Sequence, residues 1–224
     1  MIFATKLKSL LGASLIGAGI LLGGAQHASA VTFGFDNIVG GDPVGDAYAG
    51  DFSLKVTDLG ASQVLFQVVN AAAPGSNSHI RWIFVEDKSP SAFTSVPSSN
   101  DVGFSDGTVN MAHSDGGFFP QGSKIGFDPT FKFVRLVSGK GNAIQPGETA
   151  GFLFNVAGDF NSIISSLISG QLRFGIHLHG LPGGATDSYV NSVTPVPLPA
   201  AGVLLIGALG GLGFASRRQK RMAV

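Results

Sequence analysis

Six stretches of the chain alternate apolar and polar side chains with a period of two, the pattern of a strand with one buried face. Phe52, Leu54 and Val56 alternate with Ser53, Lys55 and Thr57, and Val64, Phe66 and Val68 recur within QVLFQVV. Ile80, Trp82 and Phe84 alternate in HIRWIFV, which assigns the tryptophan to the core face. Phe131, Phe133 and Val137 lie in FKFVRLV, Phe152, Phe154 and Val156 in GFLFNV, and Leu172, Phe174, Ile176 and Leu178 in QLRFGIHLH. One segment changes period. Asp159 is placed to cap a helix in which Phe160, Ile163, Ile164, Leu167 and Ile168 share a face, with Gly170 ending it. Such a short helix suits a lid over one end or edge of the sheets. Short strands separated by Gly, Pro, Asn and Ser turns predict a mainly β fold, a β-sandwich or jelly roll with one short helix. The run from Lys88 to Thr130 is too long for an ordinary connection. It offers two weak strands, around Val102–Phe104 and Thr108–Met111, and otherwise reads as a surface excursion carrying Phe118 and Phe119.

The two ends follow a different logic. Residues 1–30 have the zones of a secretory signal: Lys6 and Lys8, an uncharged apolar run from Leu10 to Leu22, and the small-x-small site Ala28-Ser29-Ala30. The run is short of the ~20 residues that cross a bilayer. Cleavage leaves a mature chain starting at Val31, exported through the Sec translocon. Residues 192–224 carry Pro195 to Pro199, an apolar stretch from Ala200 to Ala215, and the basic group Arg217, Arg218, Lys220 and Arg221. With Val196 to Pro199 included, the stretch is long enough to span as a single transmembrane helix. Basic residues at both ends stay inside, which puts residues 31–191 outside as one β domain.

Charge sharpens the contrast. Only 12% of the chain is charged, against about 25% in an average soluble domain. The exported part holds eight basic against fourteen acidic residues, a net charge of −6 hidden in a neutral whole. An acidic domain disfavours nucleic acid and anionic polymers. There is no cysteine, hence no disulfide, thiolate metal site or cysteine nucleophile.

The tail Val196-Pro197-Leu198-Pro199-Ala200, followed by one apolar span and Arg217-Arg218, resembles the PEP-CTERM sorting signal in its VPLPA variant. The resemblance covers about 29 residues. It implies recognition by exosortase, a membrane-embedded cysteine peptidase of Gram-negative bacteria. Val196, Pro197, Leu198 and Pro199 would be the sorting motif and Arg217 to Arg221 the stop-transfer end. It further implies transient anchoring in the inner membrane by that one helix, release to the cell surface, and a setting of exopolysaccharide and biofilm. Leu198 stands where the family usually has glutamate. Gly147-Glu148-Thr149, Leu172 to His177 and Gly183 to Ser188 loosely resemble the globular part of such proteins, which mostly has no assigned activity.

Candidate chemistry is sparse. His177 and His179, two apart on a strand, share a face and are placed to ligate one metal. Ile176 and Leu178 take the opposite face, so the histidines read as the solvent side. Asp42, Asp46 and Asp51 in GGDPVGDAYAGD offer oxygen ligands among glycine turns, which calcium requires, but at no recognised loop spacing. The motifs HExxH, P-loop and GxGxxG are missing from the sequence. Glu86 and Glu148 are the only glutamates, and Glu86 with Asp87 at a strand end is the nearest approach to an acid/base site. These features predict a non-catalytic structural or interaction protein without a required cofactor. The alternatives are a carbohydrate-binding module, with Trp82, Tyr48 and Tyr189 as candidate aromatics, and a metal-dependent hydrolase.

Overall fold

The computed structural model describes residues 29–88, 92–137 and 140–196. The segments expected to be a leader and a sorting tail lie outside them. Among the described residues no helix is long and apolar enough to cross a membrane.

The fold is one antiparallel sheet of ten strands. In chain order these are β1 (Ala30–Asn37), β2 (Phe52–Gly60), β3 (Gln63–Asn70), β4 (His79–Asp87), β5 (Phe93–Ser95), β6 (Met111–Asp115), β7 (Phe131–Arg135), β8 (Thr149–Val156), β9 (Leu172–His179) and β10 (Asp187–Pro195). They pair in the order β5-β8-β3-β2-β1-β10-β9-β4-β7-β6. The sheet is curled, so strands far apart in that order face one another across a phenylalanine core. Phe66 of β3 stacks on Phe174 of β9 with centroids 5.0 Å apart. Phe133 of β7 meets Phe152 of β8 at 4.1 Å, and Phe52 of β2 meets Tyr189 of β10 at 5.3 Å. Offset and tilted ring pairs of this kind add to the area term that holds a core.

The helix α1 (Phe160–Ile168) forms where its spacing predicts. The Asp159 carboxylate accepts a hydrogen bond from Ser162 N–H at 2.8 Å, as an N-cap does. Ile163 and Leu167 are buried in the main core.

Several expectations fail in an instructive way. Residues 98–106 lie at the surface, with Val102 and Phe104 exposed, but they form a hydrogen-bonded seam rather than a loose excursion. Asn100 N–H donates to Met111 O and His113 N–H to Ser98 O on β6, while Asp101 N–H donates to Gly151 O and Asp106 N–H to Thr149 O on β8. These bonds tie the two ends of the curled sheet together and cover edges that would otherwise be left unpaired. Val102–Phe104 is a 3-10 turn, not a strand, and the second weak strand begins only at Met111. Val137 lies beyond β7 and is exposed. Residues 118–127 cross the outer face of β4 and β9 as a strap. Phe118 is exposed, but Phe119 is buried with Phe84, Phe127 and Ile38 in a second apolar cluster.

The largest correction concerns β4. Register shifts between Ile80 and Trp82: Ile80 pairs with Leu178, Trp82 with His177, and Arg81 is the extra residue. Such a bulge changes which face later side chains take. Ile80, Ile83 and Val85 are therefore in the main core, while Trp82 and Phe84 belong to the outer cluster. At the other end, β10 continues past residue 191 to Pro195, and Val196 N–H donates to Thr32 O at 2.7 Å.

Candidate functional site

Three connections meet at one end of the sheet and enclose a cleft of about 800 Å³. The 3-10 turn Gly45–Asp51 supplies Tyr48 and Asp51, the β3–β4 loop Ser76 and Asn77, β4 its first residue His79, and the β9–β10 turn Gly183 and Gly184. Tyr48, one of the aromatic candidates, and Asp51, one of the calcium candidates, thus line the same cleft. His79 Nδ1 lies 3.0 Å from Asn77 O, which fixes the ring at the wall. The cleft offers a phenol, a carboxylate, an imidazole and amide groups around an open space, the mixture that binding sites for small polar ligands present.

From His79 an array of rings continues over the outer face. His79 and His179 are 6.1 Å apart. His179 meets Trp82 at 5.7 Å and His177 at 4.9 Å, both edge-on. Trp82 stacks on His177 at 5.3 Å, with 16° between planes, and carries the Arg81 guanidinium 4.5 Å from its ring centroid. Both the cation and the imidazole occupy Trp82, so it is neither a core side chain nor a bare stacking platform.

His177 and His179 do share a face, but that face is not open solvent. His177 is 4% exposed. Its Nδ1 and Ser188 Oγ share a hydrogen bond of 2.8 Å. Burial, then His179 and Arg81, lower the His177 imidazole to about 4. Burial, then Arg81, His79 and Arg135, lower His179 to about 4. Both rings are therefore neutral at pH 7. Ser188 beside a histidine has the look of an activated nucleophile, yet it is wholly buried within the β9–β10 pairing. An attacking hydroxyl must be reachable by substrate, so the pair is structural.

The acidic candidates are dispersed. Asp42 Oδ1 accepts from Val44 N–H at 3.1 Å, Asp46 is exposed and Asp51 faces the cleft. Among the described residues no three His, Asp or Glu side chains are grouped to hold a metal. Asp187 is completely buried. It accepts from Asn37 Nδ2 at 2.7 Å and from Ser188 N–H at 2.8 Å. Burial raises its carboxyl above the usual range, with Asp46 and Asp42 adding to the effect. The loop above can close over it because positions 41 and 45 are glycine; a Cβ at either would overlap its oxygens. Tyr189 is buried alongside, its hydroxyl donating to Gly45 O at 2.7 Å, and burial raises its phenol far above the ordinary range.

Neither glutamate is placed for acid/base work. Glu86, near the end of β4, is only 2% exposed. It is ion-paired to Arg173 Nε and accepts from Asp128 N–H at 2.8 Å. Arg173 donates in turn to Ile125 O and Gly126 O of the strap. Glu148 accepts from Thr108 N–H and Gln145 N–H, both at 2.9 Å. Both carboxylates hold loops. The sequence reading missed Arg81, Arg135, Ser188 and the glycine cradle of Asp187; of these, only the glycine pair Gly41 and Gly45 beside an acidic loop left any local signal. Val196 is the last described residue of the expected sorting motif; Pro197 to Pro199 and the basic group lie outside. Comparison with protein-family models, with curated proteins and with solved structures finds no match.

Proposed function

We propose that the chain is an exported, surface-sorted protein with a non-catalytic structural or interaction role. Its β domain is held at a membrane by the segment after Val196 until a sorting peptidase of the exosortase type removes it. The observation that carries this reading is where the chain enters and leaves the sheet. The Val196 N–H bond to Thr32 O, 2.7 Å long, sets the two exits side by side at one end. A leader before the domain and a tether after it then serve the same membrane surface. The cleft lies at the other end of β10, nine residues away, or about 30 Å at the rise of a strand. A tethered domain in this orientation turns its cleft away from lipid. The motif Val196 to Pro199 follows β10 without a spacer, and its prolines disfavour a helix, a composition that suits a peptidase substrate.

The curled sheet serves this role as a sandwich-like or jelly-roll-like scaffold that displays loops at its far end. A carbohydrate-binding module is the second reading, favoured by Tyr48 and Asp51 in the cleft rather than by Trp82. A hydrolase is disfavoured because Glu86 and Glu148 are both committed to holding loops. The test is the mass of the mature protein from membrane and medium fractions, in cells with and without the sorting peptidase. The expected product in medium spans about residues 31 to 196. A product that keeps both ends in every fraction, or that stays in the cytosol, overturns the proposal.

A further inference from the structure

The domain is acidic, yet the outer face beside the cleft is cationic. Arg81 stands on Trp82, and Arg135 follows Val134, the register partner of Trp82, which puts it across the β4–β7 pairing from Arg81. Burial, and then Arg81 itself, lower the Arg135 guanidinium, as expected of two like charges held close. His79 and His179 complete the group toward the cleft. Arg81 is in neither of the ion pairs that hold Glu86. Two polar atoms here are buried without a hydrogen-bond partner: Arg81 Nε and His179 Nε2. Buried polar atoms without a partner are rare in folded proteins and costly to leave so. The bulge that puts Arg81 on this face is the same device that elsewhere re-aims a side chain at a functional site.

We propose that Arg81, Arg135, His179 and His79 form a binding site for an oxyanion, a carboxylate or phosphate borne by a larger ligand that extends into the cleft. Each part has a chemical reason. Stacking on the indole fixes the plane of the Arg81 guanidinium while leaving its N–H edge to pair with two oxygens. Arg135 supplies the second charge. The neutral imidazole of His179 donates through whichever ring nitrogen carries the proton. The surrounding acidic surface repels anions elsewhere, so this patch is selective by contrast. The site does not depend on sorting or cleavage, and an uncut chain tests it.

Trp82 is the chain's single tryptophan and lies under Arg81, so its fluorescence reports on the site. Full-length protein in non-ionic detergent is titrated with polygalacturonate, with inorganic phosphate and with neutral dextran. The expected result is a saturable change with one of the two anions, suppressed by 0.5 M salt and absent with dextran. A response to polygalacturonate identifies a carboxylate ligand, and one to phosphate a phosphate ligand. Binding is expected to weaken about tenfold or more in both Arg81→Gln and Arg135→Gln, each checked for a wild-type circular dichroism spectrum, since each removes a charge-assisted bond. No saturable change in the wild-type protein with either anion overturns the proposal. So does an equal response to dextran, or binding unaltered in a folded variant.

Discussion

Strands β4 and β9 have two faces that differ in kind. The inner face carries Ile80, Ile83 and Val85 beside Leu172, Phe174, Ile176 and Leu178, all buried in the main core. The outer face carries Arg81, Trp82, Phe84 and Glu86 beside Arg173, Gly175, His177 and His179. On the inner face any well-packed apolar side chain serves, and stability comes from area and fit. On the outer face each polar group needs its own partner. At the Glu86 end those partners exist and the strap seals them in. At the His179 end they are incomplete, since Arg81 Nε and His179 Nε2 have none, and the cleft opens there. Function is therefore expected where polar satisfaction stops, and the inner face is a support for it.

The largest effect should come from the inner face. Phe174→Ala removes a ring stacked on Phe66 and leaves a cavity, at a cost of about 4 kcal/mol. Urea unfolding of the variant measures it. A cost below 1 kcal/mol would mean that the two halves of the curled sheet do not press together there. On the outer face, Glu86→Gln should cost about 3 kcal/mol, because it removes the buried carboxylate that pairs with the half-buried Arg173 guanidinium. Replacing both residues, with Arg173→Met alongside Glu86→Gln, should restore part of that loss. The pair also pins the strap through Arg173, so faster amide exchange at residues 122–127 should accompany the single change.

The inner face was also the legible one. Period-two alternation locates β2, β3, β8 and β9, because strands with one apolar face write it into the sequence directly. The Asp159 cap locates α1 for a similar reason. The outer face was not legible because one inserted residue, Arg81, shifts every later position of β4, and counting from Ile80 through Trp82 to Phe84 misses it. β10 hid for another reason. DSYVNSVTP reads as polar, but Asp187, Ser188 and Asn191 are buried and hydrogen-bonded, so a central strand looks like a loop. The cleft residues Tyr48, Asp51 and His79 come from separate connections, and no spacing links them before the sheet brings them together.

Acid should distinguish the faces next. The folded chain holds the His177 and His179 imidazoles at about 4, below the ordinary ~6.5 of an unfolded chain. Between these values the unfolded state binds protons that the fold refuses. Stability is then complete above pH 6.5 and falls as pH drops toward 4, by about 3 kcal/mol for the more deeply buried His177. His179 is more exposed and adds less. Asp187 acts in the opposite sense: its raised carboxyl favours protonation in the fold and flattens the loss at the low end. Urea midpoints from pH 7.5 to 4 measure the slope, and His177→Gln should remove most of it. An unchanged slope in that variant would put the pH dependence elsewhere.

The smallest effect is the sharpest test of how the outer face is closed. Gly175 lies under Phe119, and a Cβ there would overlap its ring. On a strand, glycine is ordinarily a weakness, since it adds no packing and loses the most entropy. If the strap were loosely laid over the sheet, Gly175→Ala would be neutral or slightly stabilising. With Phe119 seated as observed against Phe84 at 4.6 Å and Phe127 at 4.8 Å, the added methyl has nowhere to go. The change should then cost about 2 kcal/mol, typical of overpacking. Phe119→Leu gives up part of the ring and makes room, so in its presence the penalty at position 175 should shrink. A double-mutant cycle reads that coupling directly. Strong coupling makes the strap the second wall of a core, and additivity makes it a surface loop.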